Sequence, residues 1–191
     1  MEAISKVQLN KIVKIISIIV IGSILLTISA KIKIPFYPVP MTMQTFVVLF
    51  FGIAFGYKIG LATVTLYLLE GIFGLPVFAN SPEKGIGLVY FTGPTMGYLI
   101  GFLVAVYLVG IRRDLLYWSK KHYVNLLTVF TRLIVSASFI YILGLLWLGS
   151  LIGWDKPIYK LGAEPFLLAE LFKLLLLTAL YPWIKKLDKI I

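Results

Sequence analysis

The sequence predicts an all-α integral membrane protein, one bundle of six transmembrane helices with both termini cytoplasmic, and three observations predict it. First, 60% of its 191 residues are hydrophobic and 14% charged, with a mean hydropathy of +0.99. Soluble domains run at about 45 to 50% apolar and about 25% charged, so one soluble core could not hide this much apolar surface. Second, the apolar content falls into six runs, at 11–30, 42–57, 59–78, 91–110, 124–149 and 165–184, within a single membrane domain covering 1–191. Most reach the ~20 residues a helical span needs. Third, the basic residues partition. With the N-terminus inside, the inner flanks hold eleven, Lys6, Lys11, Lys14, Lys58, Arg112, Arg113, Lys120, Lys121, Lys185, Lys186 and Lys189, against five outside, Lys31, Lys33, Lys84, Lys156 and Lys160. Cytoplasmic flanks are the Lys/Arg-rich ones.

In the first run, Lys6, Lys11 and Lys14 precede an apolar stretch from Ile15 to Ala30, as in a secretory leader. Thr27-Ile28-Ser29-Ala30 is a poor cleavage site and more apolar runs follow, so this is read as the first transmembrane helix. The second run is short for a span and needs tilt or shared burial. None of the runs shows the period-two alternation of a membrane barrel, so strands are not expected. Gly52, Gly56 and Gly60, then Gly93, Gly97 and Gly101, recur every four residues. Such ridges let helix backbones approach closely, and Gly93 and Gly97 would also let a ligand touch backbone.

This topology sends three irregular segments to the outer side. Lys31 to Met41 is stiffened by Pro35, Pro38 and Pro40, which fix their own φ and hold their predecessors extended. Phe78 to Tyr90 carries Asn80, Pro82, Gly85 and Gly87, and Gly149 to Glu164 leads into the sixth run.

Several function classes drop out. Without cysteine there is no disulfide, thiolate metal site or cysteine nucleophile. His122, the single histidine, falls in a basic inner loop and reads as a solvated or headgroup-facing side chain. No histidine metal cluster or Ser/His/Asp triad can be assembled around it, and no cofactor is expected. There is no G-x-x-x-x-G-K-[ST] loop, so the chain does not itself hydrolyse ATP. The net charge of +10 is mostly a topology signal, and nucleic acid is not an expected partner.

Four ionisable residues lie inside apolar runs: Glu70, Arg132, Glu170 and Lys173. Arg132 is close enough to the inner end to snorkel. Glu70 is read as a packing hydrogen bond or a ligand contact. Glu170 and Lys173 stand three apart and so share a helix face, in a helix whose first turn suits Pro165. They lie roughly 8 and 12 Å below the helix start, where each charge costs about 2.5 to 3.5 kcal/mol near a span centre. A self-satisfied ion pair and a ligand site are both open, and because a buried pair rarely repays its desolvation, ligand binding is the leading reading. An acid accepts N–H and an ammonium donates to oxygen, which a cyclic urea or amide satisfies together. Phe36, Tyr37, Phe78, Tyr90, Phe91, Tyr98, Trp154 and Phe166 would cover the ligand's hydrocarbon part, or form an interfacial belt.

Taken together the runs resemble the BioY family, the membrane-embedded, biotin-binding S components of energy-coupling factor (ECF) transporters. The resemblance rests on Ile34-Pro35 followed by Pro38-Val39-Pro40-Met41-Thr42-Met43-Gln44-Thr45, on Gly71-Ile72-Phe73-Gly74-Leu75-Pro76-Val77-Phe78, and on Gly93-Pro94-Thr95-Met96-Gly97-Tyr98. At Pro165-Phe166 the family continues to an Asp and a Lys; this chain has Glu170 and Lys173 at the same mutual spacing. The resemblance implies a pocket at the outer end in which Glu170 accepts N–H from the ureido head of biotin and Lys173 donates to its oxygen. It implies a ligand contact at Asn80. The family's arginine before GPT has no counterpart, so Lys84, with Tyr90 and Tyr98 as hydroxyl donors, is the candidate for the carboxylate. Family members often carry Ala-x-x-x-Ala in the first helix for coupling; here the strip is Ser23-Ile24-Leu25-Leu26-Thr27.

The implied function is capture of biotin at the outer face of the cytoplasmic membrane for uptake, without chemistry on the substrate. The implied partners are a transmembrane coupling subunit, cytoplasmic ATPases and membrane lipid. Three other readings stand beside it: an S component for another vitamin such as thiamine or riboflavin, a lipid-modifying membrane enzyme with Glu170 as base, and an assembly subunit without ligand.

Overall fold

A computed structural model describes residues 6–111 and 122–190. Arg112, Arg113, Lys120 and Lys121 of the expected inner flank lie outside them. The elements run α1 (Lys6–Lys31), β1 (Lys33–Ile34), β2 (Met41–Thr42), α2 (Gln44–Ile72), a 3-10 turn (Gly87–Thr92), α3 (Met96–Gly110), α4 (His122–Ile152), α5 (Ile158–Gly162), a 3-10 turn (Glu164–Phe166), α6 (Leu167–Ile184) and a last 3-10 turn (Lys185–Ile190). Among the described residues four helices are long and apolar enough to cross a membrane, at Gln8–Lys31, Gln44–Ile72, Tyr123–Ile152 and Ile158–Leu187, and Met96–Gly110 is a shorter apolar helix.

α2 is a hairpin of two helices. Gly56 breaks it with φ 79° and ψ 174°, a conformation open to glycine and strained for other residues. The halves then run back along each other: a Cβ on Gly60 would lie 3.5 Å from the Cα of Gly52, although eight residues of continuous helix separate positions by about 12 Å. The expected boundary between the second and third apolar runs is therefore a reversal of the chain.

The third run stops at Ile72, six residues earlier than expected. Gly74, at φ 92°, ends it in a Schellman motif: Leu75 N–H donates to the carbonyl of Glu70 and Gly74 N–H to that of Gly71. Leu75, Val77 and Phe78 continue the apolar run in sequence but leave the helix, and Phe78 returns as a buried ring against Tyr67 and Tyr90.

A second departure concerns strands. Residues 33–34 and 41–42 pair antiparallel, Lys33 with Thr42 and Ile34 with Met41, and the proline-rich bend between them forms a small cap. Lys31 and Lys33 fasten the cap to the segment after α2: Lys31 Nζ donates to the carbonyls of Phe78 and Ser81 at 2.7 Å each, and Lys33 Nζ to the carbonyl of Ala79 at 2.6 Å.

The core lies where α2, α3 and α4 meet, with α1 against α2 and α6 against α2 and α4. Gly97 and Gly101 allow α3 to meet the backbone of α4 directly, since a Cβ on them would come within 2.3 Å of the Leu143 carbonyl and 2.7 Å of the Ile140 Cα. Away from these contacts the surface is apolar: Ile16, Ile21, Ile24 and Ile28 on α1 and Leu168, Leu171, Phe172 and Leu176 on α6 are exposed. Contiguous exposed apolar surface of this extent suits a lipid solvent.

Candidate functional site

Beneath the cap, the ends of α2, α3, α4 and α6 line a partly open cavity. Its wall has the apolar majority and the few convergent polar groups of a small-molecule site. Val39, Met41, Phe78, Leu99, Phe102, Ile140 and Phe166 supply most of the apolar lining, and Gln44, Thr45, Tyr67, Tyr90, Tyr98, Tyr141 and Glu170 the polar groups.

Glu170 and Lys173 are buried, each 6% exposed. Pro165 opens the 3-10 turn that starts α6, so Glu170 falls in the helix's first turn, where the positive end of the dipole favours a carboxylate. Lys173 Nζ contacts Glu170 Oε1 at 2.5 Å. It also donates to the carbonyl of Thr42 at 2.6 Å and to Thr45 Oγ1 at 3.1 Å. An ammonium has three N–H donors, and these three acceptors match them. Thr45 Oγ1 donates in turn to Glu170 Oε1 at 2.8 Å. The pair thus joins α6 to the cap strand β2 and to the start of α2.

Glu170 Oε2 differs from Oε1. It is buried and, among the described residues, has no hydrogen-bond partner. Glu170 lines the cavity, with the Tyr141 hydroxyl close enough to its carboxylate to interact as a hydrogen-bond donor. A buried carboxylate oxygen short of a well-formed hydrogen bond is costly, and Tyr141 or a ligand N–H would relieve that cost.

Next to this carboxylate the chain begins α2. Thr42 Oγ1 accepts from the backbone N–H of Gln44 at 3.3 Å, and Gln44 lines the cavity. Gln44 Nε2 then donates to Tyr67 Oη at 2.7 Å, and Tyr67 donates to the carbonyl of Val77 at 3.2 Å.

The other expected site residues are Tyr98, Tyr90, Asn80 and Lys84. Tyr98 lines the main cavity and donates to the carbonyl of Gly162 at 2.8 Å. Tyr90 stacks on Phe78 with centroids 4.5 Å apart, and burial pushes its phenol above the usual tyrosine value, keeping it a neutral hydroxyl. Asn80 and Lys84 do not line the main cavity. They form a small side pocket with Tyr90, Gly93, Pro94 and Thr95, and the two spaces share Tyr90 and Thr95. Asn80 Oδ1 accepts from Lys33 Nζ at 3.2 Å. Lys84 is exposed, its Nζ 5.5 Å from the centre of the Tyr37 ring.

Glu70 stands apart from the cavity and accepts a hydrogen bond from Ser23 of α1, which is the packing role. Arg132 donates through Nε to the carbonyl of Leu108 at 3.0 Å, joining α4 to α3. Of the expected aromatic residues, Phe78, Tyr90, Tyr98 and Phe166 line the cavity, Phe36 meets Phe166 edge-on, and Tyr37 and Trp154 are exposed. Gln44, Thr45, Tyr67 and Tyr141 were not among the expected site residues. Gln44 and Thr45 stand at the end of the stretch from Pro38 to Thr45, and their signal is two polar residues where a stiff proline loop enters an apolar run.

Comparison with known proteins adds three findings. A profile of the BioY family matches residues 3–189. A protein named biotin transporter BioY from Thermotoga maritima is 34% identical over 164 residues, 86% of this chain and 91% of its own length. A probable biotin transporter BioY from Pyrococcus horikoshii is 32% identical over 160 residues, covering 84% of this chain and 89% of its own. Among solved structures, the S-component for biotin from an ECF-type ABC transporter superposes with a TM-score of 0.75, covering 96% of this chain and 95% of that one at 23% identity. At that identity the likeness is one of fold.

Proposed function

The chain belongs to the BioY family, and from that premise we propose that it captures biotin within the membrane for energy-coupled uptake. It is a transporter subunit and not an enzyme, in line with relatives named as transporters. The observation that carries the reading is the buried Glu170 Oε2, without a hydrogen bond among the described residues, in the wall of a largely apolar cavity.

In the bound complex the ureido head lies at Glu170, which accepts a ring N–H through Oε2. Lys173 neutralises the carboxylate from behind. A direct bond from Lys173 to the ureido oxygen, as expected from the resemblance, requires it to leave one of the three acceptors it already serves. The bicyclic hydrocarbon lies against Phe78, Tyr98 and Phe166, and the valerate chain runs past Tyr90 so that its carboxylate reaches Asn80 and Lys84. The shared walls of the two pockets support that path.

The whole of 1–191 acts as one membrane domain in the cytoplasmic membrane, crossing it six times with both termini inside. The reversal at Gly56 supports this count, since it makes two spans of α2, as does the basic-residue partition. Its partners are a transmembrane coupling subunit and cytoplasmic ATPases, a reading supported by the fold shared with an ECF-type S-component. Biotin is cargo, and no cofactor takes part.

The test is isothermal titration of the purified chain with biotin, then competition by thiamine and riboflavin. Saturable biotin binding that neither vitamin displaces is expected. Well-folded protein with no biotin binding would falsify the reading.

A further inference from the structure

On the biotin reading, and resting on it, the valerate carboxylate has to meet hydrogen-bond donors, because an ionised carboxylate only accepts. The side pocket has no acid in its wall, which is made by Asn80, Lys84, Tyr90, Gly93, Pro94 and Thr95. Lys84 brings charge. Asn80 could act either way, since a primary amide carries an acceptor at one atom and two donors at the other. Turning that amide over reverses what the pocket presents to an anion.

The backbone of Asn80 is held on both sides. Its N–H donates to Tyr90 Oη at 3.4 Å, and its carbonyl accepts from the N–H of Lys84 at 2.7 Å. What is left to decide is the turn of the amide, and a residue of the cap decides it. Lys33 Nζ donates to the carbonyl of Ala79 at 2.6 Å and to Asn80 Oδ1 at 3.2 Å. An ammonium has donors and no acceptor, so the amide atom beside it has to be the oxygen. Nδ2 is the end left over, and among the described residues it makes no hydrogen bond. Lys33 belongs to β1, so the arrangement holds only while the cap strand lies against the segment after α2.

We infer that Lys33 is a positioning residue for the ligand carboxylate: it fixes Asn80 as a hydrogen-bond donor, and does so only when the cap is in place. Lys31 is the natural comparison. It ties the same cap to the carbonyls of Phe78 and Ser81, neither of which lines the side pocket. The two lysines therefore separate fastening from positioning.

The test is titration of the full-length chain with biotin and with biotin methyl ester at 1 M salt. There an exposed charge reaches only about 3 Å, so the ratio of the two affinities reports hydrogen bonds to the carboxylate. Lys33 is exposed and the cap keeps its bonds through Lys31 and Lys173, so the variants are expected to fold. Wild type favours biotin. Lys33→Met frees the amide to turn and lowers the ratio by about 2- to 12-fold, the worth of fixing one side chain in advance. Lys33→Arg, again a donor without an acceptor, keeps the ratio within about 1.5-fold of wild type. Lys31→Met weakens both ligands together and leaves the ratio within the same about 1.5-fold. In an Asn80→Ala background Lys33→Met no longer moves the ratio, since the group it acts through is gone.

Two results overturn the assignment. If Lys33→Met keeps the wild-type ratio, or loses both ligands alike, Lys33 only fastens the cap. If the ratio falls as far in the Asn80→Ala background, Lys33 meets the carboxylate itself. In both cases wild-type binding of biotin leaves the functional reading standing, whereas a wild type that binds no biotin overturns that reading and the role of Lys33 with it.

Discussion

The head end of the main cavity and the side pocket at its mouth treat charge in opposite ways. At the head end, Glu170 and Lys173 are withdrawn from water, and all but one of their polar atoms are matched by Thr42, Thr45 and each other. At the mouth, Lys84 is exposed and leans over the Tyr37 ring with no carboxylate partner in the described structure. Electrostatic interactions are strong in a dry, low-dielectric setting and weak in a wet one. On the proposed biotin reading, the head end discriminates and the mouth attracts. Substitutions at the two ends should separate the two properties by size of effect and by response to salt.

The largest effect is expected from Glu170→Ala. It removes the acceptor and leaves the Lys173 ammonium buried beside two neutral oxygens, and breaking a buried pair from one side costs about 3 to 5 kcal/mol. Biotin binding should fall below detection by titration, and the thermal midpoint should drop. Retention of wild-type affinity would break the contrast between the ends. Thr45→Val comes next, since it keeps the shape and removes the hydroxyl that bridges the pair. One lost buried hydrogen bond of this kind costs about 1 to 3 kcal/mol, so affinity should weaken by about 5- to 150-fold. An effect equal to that of Glu170→Ala would mean that Thr45 touches the ligand itself.

Why the head end was legible in the sequence and its surroundings were not has a physical reason. A charge in an apolar run has no bland explanation at that depth, so Glu170 and Lys173 identified themselves. Gln44 and Thr45 carry no such anomaly, because polar residues at the start of a membrane helix are ordinary. Tyr67 and Tyr141 were hidden by their own apolar rings, which fit a core or a belt equally well. Asn80 and Lys84 came from the resemblance, and the structure sets them in the adjoining pocket. In the fold, the boundary near 57 was visible as Gly56 and Lys58, whereas the reversal there depends on a positive φ that composition does not reveal. The β1 and β2 pairing was out of reach, since two-residue strands are too short to show alternation.

The smallest effect is expected at the mouth, from Lys84→Ala. An exposed ion pair is worth about 0.2 to 1 kcal/mol, and a cation over an exposed ring about 0.5 to 1 kcal/mol. Losing Lys84 should thus weaken biotin only about 1.5- to 5-fold in dilute buffer. Screening shortens the reach of an exposed charge from about 10 Å at 0.1 M salt to about 3 Å at 1 M, so the gap between variant and wild type should close as salt is raised. Biotin methyl ester, which has no carboxylate charge, should bind the two proteins alike at every salt concentration. Glu170→Ala should show neither behaviour, because its partners are buried. A Lys84→Ala loss that persists at 1 M salt, or one as large with the ester, would place the carboxylate elsewhere and make the mouth a second site of discrimination.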